Sequence, residues 1–532
     1  MRVGFAMYYE NDTLNPDCAL RISPRTALLA IPLAILVLLG CDGALHWDEP
    51  GYLYAAIYQD FGEILRGEVQ PSELSWFTLG KPLHLLIIHA IHQLTGDPTV
   101  TAFVVAGLYT LLMLGSLVLC GIIVCTVMPD RRAFVLAGVV IAAFSPVVAD
   151  LMFKTLPEIP AFFCACLGSL AILRAAGGRS WIWAVLGAFA LAMTALTKAP
   201  MLIAPVSLVI AHLCVPVGPV PRGRLLLSGV VIGALSGALA LGVIQGLGIG
   251  LDRFLGNDTL FAKEVPLIAK LMHFAIAFGF VWLVLPLSMG SARRRGLAFL
   301  WMWFVLATAP FLVLFQHVEP RYLVGSVLPL AGLATLSAEV VWTKLANRAI
   351  PVLALGFVLG LGLHKLALAV MPHEVNVFDL RRLVAKIEAH SVDDDYAIVT
   401  SSLYTDFHIL RVLWPELDVY DADGTLHVVS RSGQAPEELA DAYLDGREVA
   451  SARALSQIPQ PVYYFGFERT FALENMALIL GTISAGLGDK LRSSFDHKSH
   501  LRSTWVWQRE QIELQRIGRA GHYRAFHVAI PD

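Results

Sequence analysis

Runs of apolar residues recur along this chain from residue 26 to residue 370, separated by short polar connections. No other feature restricts the fold as strongly. About 20 apolar residues in helical form cross the hydrocarbon core of a bilayer, where every backbone polar group must be bonded internally. The runs lie near 26–41, 99–127, 132–150, 157–176, 180–197, 199–217, 224–250, 268–290, 296–315, 322–342 and 349–370. Of the 532 residues 56% are hydrophobic and only 15% are charged, against about 25% charged in soluble domains. The expectation is a mostly α, polytopic membrane helical bundle of about 11 transmembrane helices over residues 1–371. A net charge of −3 on so long a chain points to no nucleic-acid partner.

The basic residues orient the bundle. Arg131-Arg132, Arg174 with Arg179, Arg222 with Arg224, Arg293-Arg294-Arg295, and Lys344 with Arg348 fall at every second connection. With the N-terminus inside, all five groups are cytoplasmic, as the positive-inside rule requires. Arg2, Arg21 and Arg25 precede the first run, and no small-residue cleavage site precedes Asp42, so that run reads as an uncleaved helix. The pattern holds only if the 15 residues 81–95, which include His84, His89 and His92, form an interfacial or re-entrant helix and do not cross. The three histidines, spaced by five and three, do not share a ligand face.

This topology collects the remaining ionisable residues of the membrane boundary on the outer side. The first external loop, 42–98, carries Asp48, Glu49 and Lys81, and His46 lies near them. The segment 149–158 ends in Glu158, Lys198 sits in the turn TALTKAP, and residues 316–322 bring His317, Glu319, Arg321 and Tyr322. Carboxylates are costly to keep ionised beside hydrocarbon, so their gathering there suggests a task. A channel or transporter would string such groups through the depth of the bilayer. The seven cysteines all precede residue 215 and form no metal-ligand spacing.

After residue 371 the composition turns polar. Residues 372–532 suggest a soluble, extracytoplasmic α/β domain. Strands are expected at 396–401, 417–421, 461–466 and 524–530, and helices at 378–390, 404–413, 436–456 and 470–486. It holds no GxGxxG and no P-loop, so its expected role is accessory or docking.

Five short motifs carry a resemblance. Asp48-Glu49-Pro50-Gly51-Tyr52 resembles the DExxY of the first outer loop of the GT-C glycosyltransferases, which include bacterial aminoarabinose transferases acting on lipid A and the protein O-mannosyltransferases. Lys81-Pro82-Leu83 resembles that family's KPP, and Leu156-Pro157-Glu158 with the apolar run behind it resembles PDALLAFF. Leu196-Thr197-Lys198-Ala199-Pro200 resembles LTKGP, and Arg321-Tyr322-Leu323 followed by Leu328-Pro329 resembles RYLLP. The motifs keep the family order over residues 48–329, with departures at Leu83, Glu158 and Ala199.

The resemblance implies transfer of a sugar from a polyprenyl-phosphate donor to a glycan, lipid or protein hydroxyl at the outer face of a bacterial inner membrane. It implies catalytic carboxylates at Asp48, Glu49 and Glu158, and phosphate contacts from Lys81, Lys198, Arg321 and Tyr322. Tyr52, His84, His317 and Glu319 fall to the acceptor or donor pocket. The chemistry suits the residue types. An attacking hydroxyl needs a base within hydrogen-bond reach, for which Asp48 stands first with Glu49 as neighbour or structural partner. A departing phosphate needs fixed cations in a partly dry site. Attack opposite the leaving group inverts the anomeric centre. Each residue also has a plain reading: Asp48 or Glu158 as a helix cap, Lys81 snorkelling to the interface, Arg321 paired with Glu319. The carboxylates could take a divalent cation, which the residues leave open. A flippase of lipid-linked saccharide and a membrane-anchored assembly protein working through its C-terminal domain are the alternatives.

Overall fold

The computed structural model describes residues 49–58, 81–178, 180–218, 220–249, 267–291, 294–315, 319–345, 375–391, 395–400, 406–414, 416–421, 460–467, 513–520 and 523–529, together with 44–45, 62 and 458. The expected spans at 26–41 and 349–370, the helices at 436–456 and 470–486, and Asp48, His46 and His317 lie outside them.

Six described helical stretches are long and apolar enough to cross a bilayer: Pro98–Val127, Glu158–Ala176, Ile182–Cys214, Arg222–Gly246, Arg294–Val313 and Pro320–Lys344. The chain is an integral membrane protein. Helix α1 (Glu49–Tyr58) and helix α2 (Pro82–Thr95) precede the first of these stretches, α3 (Pro98–Val127). With 14 residues, α2 rises about 21 Å, short of a hydrocarbon core of about 30 Å.

The expected spans at 132–150 and 268–290 are broken helices. Helix α4 (Arg132–Ala143) stops where Ser145 precedes Pro146, because a residue before proline is pushed out of the helical region, and Ser145 is extended (ψ 140°). Further on, Gly279 takes a left-handed conformation (φ 49°) at the end of the helix Leu267–Phe278.

Helix α5 (Glu158–Ala176) is followed after a five-residue connection by α6 (Ile182–Lys198), which packs against it. A 3-10 turn over Ala199–Leu202 leads on to the helix Ile203–Cys214, so the run expected at 199–217 begins its α-helix four residues late, behind Pro200. Helix α7 (Val327–Leu345) ends the most buried stretch of the bundle and packs against α4. Their backbones nearly touch: a Cβ on Gly138 would lie 2.7 Å from the Ala331 carbonyl oxygen. At one end of this pair Arg131 Nη1 meets Glu339 Oε1 at 2.7 Å.

The C-terminal residues form a five-stranded sheet of order β4-β3-β5-β7-β6, made of β3 (Ala397–Thr400), β4 (Asp418–Asp421), β5 (Val462–Phe467), β6 (Glu513–Ala520) and β7 (Tyr523–Ala529). Strand β3 is parallel to β4 and β5, whereas β7 is antiparallel to β5 and β6. Val377, Leu380, Leu383, Val384 and Ile387 share one face of helix α8 (Val377–Glu388) and are buried in the sheet's own apolar core. Strand β6 was not among the expected elements; its pattern GluLeuGlnArgIleGlyArgAla holds few apolar residues, as suits an edge strand.

Among the described residues, C-terminal segments are tied to the membrane part on both sides of Asp48-Glu49. Strand β1 (Ala44–Leu45) pairs antiparallel with β2 (Val375–Asn376). Tyr58 at the end of α1 donates to the Val412 carbonyl at 3.0 Å. The backbone on each side of Asp48-Glu49 is therefore held by C-terminal residues.

Candidate active site

A short connection between α5 and α6 makes them antiparallel, so the first residue of one and the last residue of the other meet at the same end of the bundle. Those residues are Glu158 and Lys198. Their placement also suits the helix dipoles, with a carboxylate at an N-terminus and an ammonium at a C-terminus. Lys198 Nζ lies 3.2 Å from Glu158 Oε1. Arg321, in the 3-10 turn Pro320–Ser326 that leads into α7, brings its Nε to 3.7 Å from the same oxygen and 2.7 Å from Glu319 Oε2. Glu158 is fully buried, and Lys198 and Arg321 are each 6% exposed. Tyr322 lies against both cations, its ring centroid 4.5 Å from Lys198 Nζ and 5.3 Å from Arg321 Cζ.

A second group forms at the start of α2. Pro82 occupies the first helical position, where its fixed φ fits and its missing N–H costs no bond, and Lys81 stands just before it. Lys81 Nζ lies 4.9 Å from the centre of the Tyr52 ring, and His84 meets that ring edge-on at 4.7 Å. His84 Nδ1 is 2.8 Å from the Tyr109 hydroxyl on α3. The charges of Lys81, Lys198 and Glu158 all act on this imidazole, so the two groups lie within electrostatic reach of each other. Burial above all, and then Lys81, hold the His84 pKa down to about 3, so the ring is neutral.

The segment between α4 and α5 closes the site. Thr155 donates to Glu49 Oε1 through both its backbone N–H and its hydroxyl, the latter at 2.8 Å. Phe153 takes a left-handed conformation (φ 60°) and donates its N–H to Thr110 Oγ1 at 3.0 Å. A bulky residue in that region is strained and persists only where its surroundings hold it. Lys154, between these two residues, is 3% exposed.

Of the residues marked by the sequence, Glu49, Tyr52, Lys81, His84, Glu158, Lys198, Glu319, Arg321 and Tyr322 come together. Asp48 directly precedes Glu49 in the chain. Thr155, Tyr109 and Lys154 were not singled out by the sequence reading. Thr155 stands one residue before the Leu156-Pro157-Glu158 motif, a position that could have marked it, whereas nothing in the sequence around Tyr109 does. His89 and His92 serve structure: His89 Nδ1 bonds the Ala56 carbonyl at 2.9 Å, and His92 Nδ1 meets Thr101 Oγ1 at 3.0 Å. Among the described residues no three His, Cys, Asp or Glu side chains are arranged to hold a metal ion.

No protein-family model and no curated protein matches this chain. Among solved structures it is similar to ArnT from Cupriavidus metallidurans. With ArnT bound to undecaprenyl phosphate it shares 13% identity at a TM-score of 0.52, over 94% of this chain and 98% of that one. With the apo state the identity is 14%, again at a TM-score of 0.52, over 95% of this chain and 98% of that one. At this identity the likeness establishes the fold alone, a helical membrane fold shared with ArnT.

Proposed function

We propose that this chain transfers a sugar from a polyprenyl-phosphate donor to an acceptor hydroxyl at the outer face of the membrane, with inversion. The observation that carries the reading is the buried meeting of Lys198 and Arg321 at Glu158, on a fold shared with a protein whose structure holds undecaprenyl phosphate. Among the described side chains of the site, the cations Lys81, Lys198 and Arg321 meet the carboxylates Glu49, Glu158 and Glu319, and the buried Lys154 lies in the segment beside them. Such a balance in a partly dry place suits a phosphate that gains charge as it leaves.

The acceptor oxygen attacks the anomeric carbon, and its proton passes to the Asp48 carboxylate. The bond from that carbon to the phosphate oxygen breaks, and the lipid phosphate departs toward the three cations. Glu49, bonded twice to Thr155, supports the segment that leads to Glu158 and so holds the two carboxylate regions in register. The acceptor is a glycan, lipid or protein hydroxyl met on the external side.

The test is transfer from a polyprenyl-phosphate sugar in proteoliposomes. Asparagine caps a helix as well as aspartate but accepts no proton. Asp48→Asn is therefore expected to slow transfer by about 10²–10⁴ while donor binding and thermal stability persist. Parental turnover in that variant would remove Asp48 as the base. Removing Lys198 alone also takes the nearer of its two cations from the buried Glu158 charge, so Lys198→Met is compared with the balanced pair Glu158→Gln/Lys198→Met. Both are expected to bind donor roughly 30- to 150-fold more weakly, the loss of a charge-assisted contact to phosphate. The pair alone is expected to keep its stability.

A further inference from the structure

His84 is fully buried, and among the described residues its Nε2 has no hydrogen-bond partner. The other ring nitrogen, Nδ1, is 2.8 Å from the hydroxyl of Tyr109, which is buried as well. Two tautomers fit that contact. With the proton on Nδ1, the imidazole donates to Tyr109, and both the phenolic hydrogen and the bare Nε2 are stranded in a dry place. With the proton on Nε2, Tyr109 donates to Nδ1 and only one N–H is left over. The second arrangement strands one group instead of two and pairs the better donor with the better acceptor. Tyr109 thus makes Nε2 a fixed donor.

The surroundings say what that donor is for. Tyr52 holds the ring edge-on at 4.7 Å, and the same Tyr52 ring carries the Lys81 ammonium at 4.9 Å. Lys198 and Glu158 also act on the imidazole. Cations in such a place draw an anionic oxygen toward them. A charged imidazole would add repulsion to Lys81 and Lys198, whereas a neutral one adds a directional N–H. Resting on the reading of this site as one that takes a polyprenyl-phosphate donor, we infer that the His84 Nε2–H is a ligand to a phosphoryl oxygen, with Tyr109 as the residue that positions it. Burial and the neighbouring Lys81 keep the ring neutral well below physiological pH, which leaves Nδ1 free to accept from Tyr109.

The experiment measures binding of undecaprenyl phosphate and, separately, of inorganic phosphate to the full chain in detergent. Four proteins are compared: the parent, His84→Phe, His84→Gln and Tyr109→Phe. Loss of a hydrogen bond to a charged oxygen should weaken binding of undecaprenyl phosphate by about 10- to 100-fold in His84→Phe. Glutamine, which can return an N–H near the Nε2 position, should recover most of that loss. Tyr109→Phe should fall between, because its ring packs as before but no longer selects the tautomer. If inorganic phosphate shows the same ranking, the phosphoryl group alone is read; a ranking confined to the lipid assigns the contact to the carrier-bound phosphate. Equal affinity of parent, His84→Phe and Tyr109→Phe for both probes would overturn the inference. If His84→Phe does not fold, His84→Gln and Tyr109→Phe decide the matter: Tyr109→Phe binding like the parent would then overturn it. A parent that binds neither probe would overturn it together with the reading it rests on.

Discussion

His84 and Glu49 show how burial sets what a single side chain can do. In the folded chain His84 takes its proton only near pH 3, against 6.5 for an unperturbed histidine. Between those values the unfolded chain binds more protons than the folded one, so stability must rise with pH across the window. The contribution is complete above about pH 6.5 and is lost as the pH falls toward 3, with a limiting slope of about 1.4 kcal/mol per pH unit. Comparing denaturation of the parent and His84→Gln in detergent, we expect the parent to lose stability faster between about pH 6 and about pH 4. Parallel curves would mean that the folded chain already carries the proton. Glu49 works differently: two bonds from Thr155 occupy one carboxylate oxygen and fix the approach to Glu158.

Among the helices, function comes from which ends meet. The α5–α6 hairpin delivers Glu158 and Lys198 to one point because helices of 19 and 17 residues, antiparallel and joined by a short connection, end at nearly the same level. The α4–α7 pair supplies the rigid backing, with Gly138 allowing the backbones to approach at Ala331 and Thr335. Gly138→Ala has no room on the α7 side, and forced separation of packed elements costs about 1–3 kcal/mol. We expect a lower thermal midpoint in detergent of that direction, while Gly233→Ala, whose Cβ would meet nothing within 4 Å, should leave the midpoint in place. A Gly138→Ala protein as stable as the parent would show that the two helices can part without loss.

For the whole molecule, the contacts between sheet and membrane part bracket the carboxylates. Strand pairing at Ala44–Leu45 comes before Asp48, and the Tyr58 bond to Val412 comes after it. Phe103 also stacks on Phe378 with centroids 6.3 Å apart, and Arg381 donates to Thr99 Oγ1 at 3.0 Å. A site bounded in this way by the C-terminal sheet requires that sheet on the same side of the membrane as Glu158 and Lys198. Reporter fusions after Gly178 and after Gly223 should therefore read as cytoplasmic, and one at Asp532 as external. A cytoplasmic reporter at Asp532 would divide the site across the bilayer and end the present reading.

The membrane-spanning helices were legible in the chain itself, because a bilayer demands long apolar helices, and these leave a plain pattern in sequence. Polar residues that persist at helix ends stand out against such a background, so Glu49, Lys81, Glu158, Lys198 and Arg321 could be picked before any packing was known. The broken helices at Pro146 and Gly279 were missed because hydropathy runs straight through a break that only backbone geometry creates. Strand β6 was missed because an edge strand need not be apolar. Who meets whom was settled by tertiary structure alone. The bond from Tyr109 to His84 spans 25 residues, and the bonds from Thr155 to Glu49 span 106. Periodicity reports which face of a helix is apolar, but not which partner that face will find. A hydrogen bond between distant segments depends on the register of whole helices, and the packing of the bundle is what sets that register.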